Sequence, residues 1–171
     1  VMLYNTTGYE NTAIGKQAGL YNTTGRDNTW FGYQAGKNTT TSKNNVGIGV
    51  YALSTNDTGG YNTAIGTHAL NNNLGGSYNV SIGEASLFSH KYNDHNVAIG
   101  HDALYNDTTG YNNVAIGYQA LYGNLTGYNN MAIGTQTLGS NTASENTAMG
   151  SYSLLLNTTG VYNVAMGYQS M

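Results

Sequence analysis

The sequence predicts an all-β fold, a parallel β-roll or β-solenoid of about ten coils of 17 residues each. Three observations carry that expectation. A glycine recurs at Gly15, Gly32, Gly49, Gly66, Gly83, Gly100, Gly117, Gly134, Gly150 and Gly167, in steps of 17 residues with one step of 16 before Gly150. The position four before it is asparagine in all ten copies. Between the two lies a short run rich in β-branched residues, as in Asn62-Thr63-Ala64-Ile65-Gly66 and Asn96-Val97-Ala98-Ile99-Gly100. A short fixed period marks units that cannot bury an apolar face alone and must stack on their neighbours.

The invariant asparagines are Asn11, Asn28, Asn45, Asn62, Asn79, Asn96, Asn113, Asn130, Asn146 and Asn163. Asparagine tolerates left-handed backbone angles at corners, and stacked amides can hydrogen-bond from coil to coil as a ladder. The column is therefore read as structural rather than as a row of ligand-binding amides.

Next comes Thr or Val, then usually Ala, then usually Ile, before the marker glycine. This is a strand bounded by turn residues. Side chains alternate along a strand, so the Val/Thr and Ile columns share one face and the Ala column takes the other. Ile14, Ile48, Ile65, Ile82, Ile99, Ile116 and Ile133 are expected in the interior of the coil. The Ala face is then expected to meet another chain. Trp30-Phe31 breaks the small-residue column, which places Trp30 where that packing opens.

The glycine marks a bend where a Cβ would be costly or would block a close approach. A small residue (Ala52, Ala69, Ala103, Ala120) and a leucine follow: Leu53, Leu70, Leu87, Leu104, Leu121, Leu138 and Leu154. This pair is read as a second, shorter strand that closes the roll. Turn clusters such as Asn157-Thr158-Thr159-Gly160 return the chain to the next asparagine.

Residues 1–171 form a single repeat array. Val1-Met2 hold the phase of Ala18-Gly19 and Met171 that of Leu154, with no atypical repeat at either end. The expectation is a segment of a longer fibre, uncapped at both ends. Each coil offers roughly three large apolar side chains, too few to offset ordering its backbone at about 1–2 kcal/mol per residue. So thin a roll favours association, and an oligomer is expected.

Composition narrows the function classes. With 5 Lys and Arg against 8 Asp and Glu, the net charge of −3 points to neither nucleic acid nor an anionic membrane as partner. No apolar run reaches the length of a membrane span, so no membrane insertion is expected in this segment. Cysteine is absent, which removes disulfides and thiolate metal sites. The acids are scattered and no Ser-His-Asp order or phosphate-binding glycine spacing stands out, so no catalytic residue, cofactor or enzyme activity is assigned. His90, Asp94, His95, His101 and Asp102 form the one cluster of metal-ligand types, but they hold different phases of successive coils and read as solvated loop residues. No metal site is assigned.

Asn5, Asn22, Asn38, Asn56, Asn79, Asn106, Asn124 and Asn157 sit in Asn-x-Ser/Thr sequons, which the repeat's own turn explains without glycans. Tyr9, Tyr33, Tyr105, Tyr111, Tyr118, Tyr122, Tyr128 and Tyr168 either make an aromatic surface for glycan or protein contact or pack their rings along the turns.

The phrase Asn96-Val97-Ala98-Ile99-Gly100-His101-Asp102-Ala103 resembles the head repeat of YadA-like trimeric autotransporter adhesins, Asn-Ser-Val-Ala-Ile-Gly-x-x-Ser. Ser86, Ser153 and Ser170 restore the final serine. The array is also similar to stalk repeats of phage-type tail fibres and large bacterial surface proteins. The resemblance covers all ten repeats, although the family's period is shorter. It implies a left-handed roll, three chains about an axis, and an extracellular, cell-surface or virion-fibre location. It further implies contact with a host-surface protein or glycan. A structural or adhesive fibre segment is the expected function, with two alternatives: a self-assembling filament subunit, and an ice-binding solenoid. The last rests on Thr23, Thr40, Thr108, Thr142 and Thr158, which share one phase.

Overall fold

A computed structural model describes residues 1–171. The chain forms ten three-residue strands: β1 (Thr12–Ile14), β2 (Thr29–Phe31), β3 (Val46–Ile48), β4 (Thr63–Ile65), β5 (Val80–Ile82), β6 (Val97–Ile99), β7 (Val114–Ile116), β8 (Met131–Ile133), β9 (Thr147–Met149) and β10 (Val164–Met166). They make one parallel sheet in sequence order. The register repeats the sequence period: Ile65 pairs with Ile82, and Ile82 with Ile99. The protein is thus an all-β solenoid of stacked 17-residue coils.

The strands are a small part of what holds the coils together. Of 102 backbone hydrogen bonds, 18 lie within the strands. The rest include bonds that run from turn to turn between successive coils, such as Leu53 N–H to Ala69 C=O at 3.0 Å and Leu70 N–H to Ser86 C=O at 2.9 Å.

The expected faces of the strand are reversed. Ala64, Ala98, Ala115, Ala132 and Ala148 are fully buried inside the coil. The isoleucines Ile14, Ile48, Ile65, Ile82, Ile99, Ile116 and Ile133 point outward instead, half-buried or exposed, with Ile14 54% exposed. The cause is volume. Leu53, Leu70, Leu87, Leu104, Leu121 and Leu138 are fully buried and fill a narrow coil. Close packing then leaves room for methyl groups across from them, not for a second branched column. The alanine column therefore meets no other chain; it is the inner wall.

Nor is the leucine segment a strand. Each leucine from Leu53 to Leu154 in that column has φ between 47° and 52°. This left-handed corner aims a large side chain into the coil at a strain of about 1–2 kcal/mol per residue. The interior packing offsets that strain.

The corner before the strand also differs from expectation. The left-handed residue is the one preceding each ladder asparagine, such as Tyr61, Tyr78, His95 and Asn112. The ladder asparagine itself keeps negative φ.

Trp30 is fully buried rather than at a chain-to-chain opening. Its indole fits because glycines stand around it. A Cβ on Gly36 would lie 2.3 Å from Trp30 Cδ2, one on Gly47 2.7 Å from Cε3, and one on Gly19 2.9 Å from Cδ1. Gly19 and Gly36 hold the phase that leucine holds elsewhere, so one indole replaces the bulk of two leucines.

Candidate functional site

Two kinds of surface leave this geometry, one apolar and one aromatic, built over two buried polar columns.

The first polar column is the invariant asparagine. From Asn28 onward, each one's backbone N–H donates to the side-chain oxygen of the asparagine one coil earlier. Asn62 donates to Asn45 Oδ1 at 2.9 Å, Asn96 to Asn79 at 2.9 Å, Asn113 to Asn96 at 3.0 Å and Asn163 to Asn146 at 3.0 Å. The amide nitrogen reaches forward to the next turn: Asn96 Nδ2 donates to Gly110 C=O at 2.9 Å and Asn113 Nδ2 to Gly127 C=O at 2.8 Å. One asparagine, through its backbone N–H and its side-chain amide together, thus ties three coils, which explains why no other residue type appears in the column.

The second polar column was not singled out from sequence. It comprises Asn22, Asn56, Asn73, Asn124 and Asn141, all fully buried, in the turn opposite. Their amides close the turn by donating to the carbonyl three residues on, as Asn73 does to Gly76 at 2.8 Å and Asn124 to Gly127 at 3.0 Å. They also donate one coil back, Asn73 to Asn56 Oδ1 at 2.8 Å. The 16-residue step is absorbed here: Asn141 closes a shorter turn by donating to Ala143, two residues on, at 2.7 Å.

His90 and Asp107 stand in this column and are fully buried, so His90 is not a solvated loop residue. Its Nδ1 lies 2.9 Å from Asp107 Oδ2, and its Nε2 lies 2.6 Å from the Asn93 carbonyl. Asp94 and His95 lie on another face of the coil. His101 lies near the surface, with Nδ1 3.1 Å from Asp102 and Nε2 3.8 Å from Glu84. The cluster read from sequence is therefore not one site, and no group of three or more acids and histidines could hold a metal ion.

Of the sequon asparagines, Asn22, Asn56, Asn79 and Asn124 are fully buried, whereas Asn5 is exposed and Asn38, Asn106 and Asn157 are half-buried. Of the five threonine hydroxyls read as a flat array, all but that of Thr158 are spent on the next coil. Thr23 Oγ1 donates to Thr40 C=O at 3.0 Å, Thr108 to Leu125 C=O at 2.9 Å and Thr142 to Thr158 C=O at 2.8 Å.

Many of the tyrosines stack, whereas Tyr33 on Tyr51 and Tyr168 on Tyr152 meet edge-to-face. Tyr61, Tyr78 and His95 form one column with centroids 5.0 and 5.1 Å apart, and Tyr111 and Tyr128 form another at 4.9 Å. Phe88, Tyr105 and Tyr122 make a third, at 5.2 and 5.5 Å. Within each stack the rings cover one another's faces. At the carboxylate pair Glu10 and Asp27, a hydrogen bond to Asp27 and its like charge hold the Glu10 carboxyl above its ordinary range. A hydrogen bond to Glu145 raises Tyr162 in the same way.

The apolar surface is the outer face of the sheet. Val46, Val80, Val97 and Val114 stand half-buried beside the outward Ile column. Phe31, Met131, Met149 and Met166 continue it, 52%, 39%, 37% and 68% exposed. No strand residue of this face carries a charge. Nine steps of about 4.8 Å give a strip of roughly 43 Å, and contiguous exposed apolar surface of this kind marks interaction sites. Compared with protein-family models, curated proteins and solved structures, the chain finds no match.

Proposed function

We propose that this chain is a structural and adhesive segment of an extracellular fibre, assembled from copies of itself through the outer strand face. The observation that carries the reading is the uncharged Val/Thr and Ile strip along all ten strands. Covering it with an identical strip removes apolar area from water at about 25 cal/mol per Å². Stacked coils also give a rigid rod, as a spacer needs. The resemblance to trimeric adhesin heads and fibre stalks supports the same reading. The ice-binding alternative loses support, because all but one of its threonine hydroxyls already bond to the neighbouring coil.

Sedimentation velocity tests the assembly. The chain is expected to sediment as an oligomer, and the variant carrying Ile65→Asp and Ile99→Asp as a monomer with an unchanged circular dichroism spectrum. Both side chains point outward, so the coil interior is untouched. A wild-type chain that stays a folded monomer at tens of micromolar would refute the proposal.

A further inference from the structure

Between two of the aromatic stacks lies a cavity of about 290 Å³, lined by Tyr92, Asn93, Asp94, His95, Tyr111 and Asn112. It exists because the stacks change column. The Tyr61–Tyr78–His95 stack ends at His95, where the residue one coil on is Asn112. The Tyr111–Tyr128 stack begins at Tyr111, where the residue one coil back is Asp94. His95 and Tyr111 therefore each have one face covered by a stacked ring and the other turned toward a polar group. Tyr92 adds a third ring, 60% exposed and stacked on nothing.

The polar groups of the cavity are mainly free acceptors. Asp94 Oδ1 is held by the Ser77 N–H at 2.6 Å, which leaves Oδ2 without a donor. Asn112 Nδ2 donates to Asn129 Oδ1 at 3.2 Å, and Asn93 Nδ2 donates to the Thr109 carbonyl. Both amide oxygens are left to accept. The open ring face of Tyr92 and three acceptor oxygens on planar groups match a ligand with a C–H face and many O–H donors.

We propose that this gap is a binding site for a neutral saccharide, a sugar ring lying on Tyr92 with hydroxyls donated to Asp94, Asn93 and Asn112. No lysine or arginine lines the cavity to receive a sialylated or sulfated glycan. A quaternary ammonium prefers ring faces on several sides, whereas here Tyr92 alone presents a ring face that no neighbour covers. The inference rests on the adhesive reading above and gives it a ligand class.

The test is a printed array of neutral, sialylated and sulfated oligosaccharides probed with the full chain. Saturation-transfer NMR then follows, using the retained glycans, choline and an aromatic tripeptide. Retention of neutral glycans is expected, weakened about tenfold or more by Tyr92→Ala and by Asp94→Asn, and unchanged by Tyr4→Ala, whose ring lies in another stack. Tyr92 packs on no ring, so its variant keeps the fold. The proposal is overturned if no neutral glycan is retained, if retention survives both pocket variants, or if choline or the peptide binds there instead. Sedimentation of the same sample separates the two readings: an oligomer that binds no sugar refutes this site alone, and a sugar-binding monomer refutes the assembly alone.

Discussion

His90 Nδ1 lies 2.9 Å from Asp107 Oδ2, one coil away, with both side chains fully buried in a column otherwise made of asparagine and one threonine. The Asn93 carbonyl can only accept, so His90 Nε2 carries a proton. Asp107 Oδ1 already accepts from Gly110 N–H at 3.0 Å and Asn124 Nδ2 at 3.0 Å. The Oδ2 contact is thus the one that depends on the imidazole.

The two partners are predicted to respond unequally. His90→Asn turns its amide toward Asn73 and Asn93, as the column asparagines do, and strands Asp107 Oδ2 without a donor. Loss of one partner of a buried pair costs about 3–5 kcal/mol. Asp107→Asn can donate to Nδ1 of a neutral ring and keeps both acceptor contacts, so it is expected within about 1 kcal/mol of wild type. The double variant rebuilds an asparagine ladder and recovers most of the loss. Urea unfolding of the four proteins checks the order; equal losses for the two single variants would contradict it.

Trp30 and its glycines predict a reversal of sign. Gly47→Ala puts a methyl group 2.7 Å from Trp30 Cε3 and should destabilise by about 1–3 kcal/mol through overpacking. Trp30→Ala alone should cost about 3–5 kcal/mol by leaving a cavity. In that background the same Gly47→Ala fills part of the void and is expected to stabilise. A thermal-melt double-mutant cycle in which Gly47→Ala stays destabilising in both backgrounds would show that the indole does not set the need for glycine.

The period, the strand positions and the asparagine column were legible because each is a one-dimensional signal. Which way the strand faced was not. A three-residue strand such as Val97-Ala98-Ile99 is apolar on both sides and carries no inside-outside contrast. The width of the coil decides, and that width comes from leucines in a backbone conformation that leucine rarely takes. His90 and Asp107 were findable: they are 17 residues apart, in phase with Asn56, Asn73 and Asn124. The pairing of Trp30 with glycine at the leucine phase, Gly19 and Gly36, was equally present in the sequence. The saccharide gap was not, since it depends on where stacked rings change column.

The marker glycines supply an internal control. A Cβ on Gly100 would lie 2.5 Å from the Gly117 carbonyl oxygen of the next coil, at φ 135°. Gly167 has φ 119° and nothing within 4 Å of its Cβ position. Gly167→Ala should therefore show only backbone strain, about 1–3 kcal/mol. Gly100→Ala adds a clash with backbone that cannot swing aside, a further 1–3 kcal/mol or so. Equal melting temperatures for the two variants would show that φ alone sets the cost and that coil spacing plays no part.

The Glu10–Asp27 contact makes stability depend on pH with a definite sign. Asp27, by its hydrogen bond and its charge, favours the protonated form of Glu10, so the carboxyl titrates higher in the folded chain than in the unfolded one. The folded state then binds more protons through the carboxylate range, and its stability falls as pH rises through that range. Glu10→Gln keeps a donor toward Asp27 at every pH and removes the like charge. Its melting temperature is expected to exceed that of wild type at pH 7 and to converge on it below pH 4. Both side chains lie near the surface, so added salt should shrink the gap at pH 7. A gap that instead widened toward low pH would mean that the carboxylate form of Glu10 is the one the fold prefers.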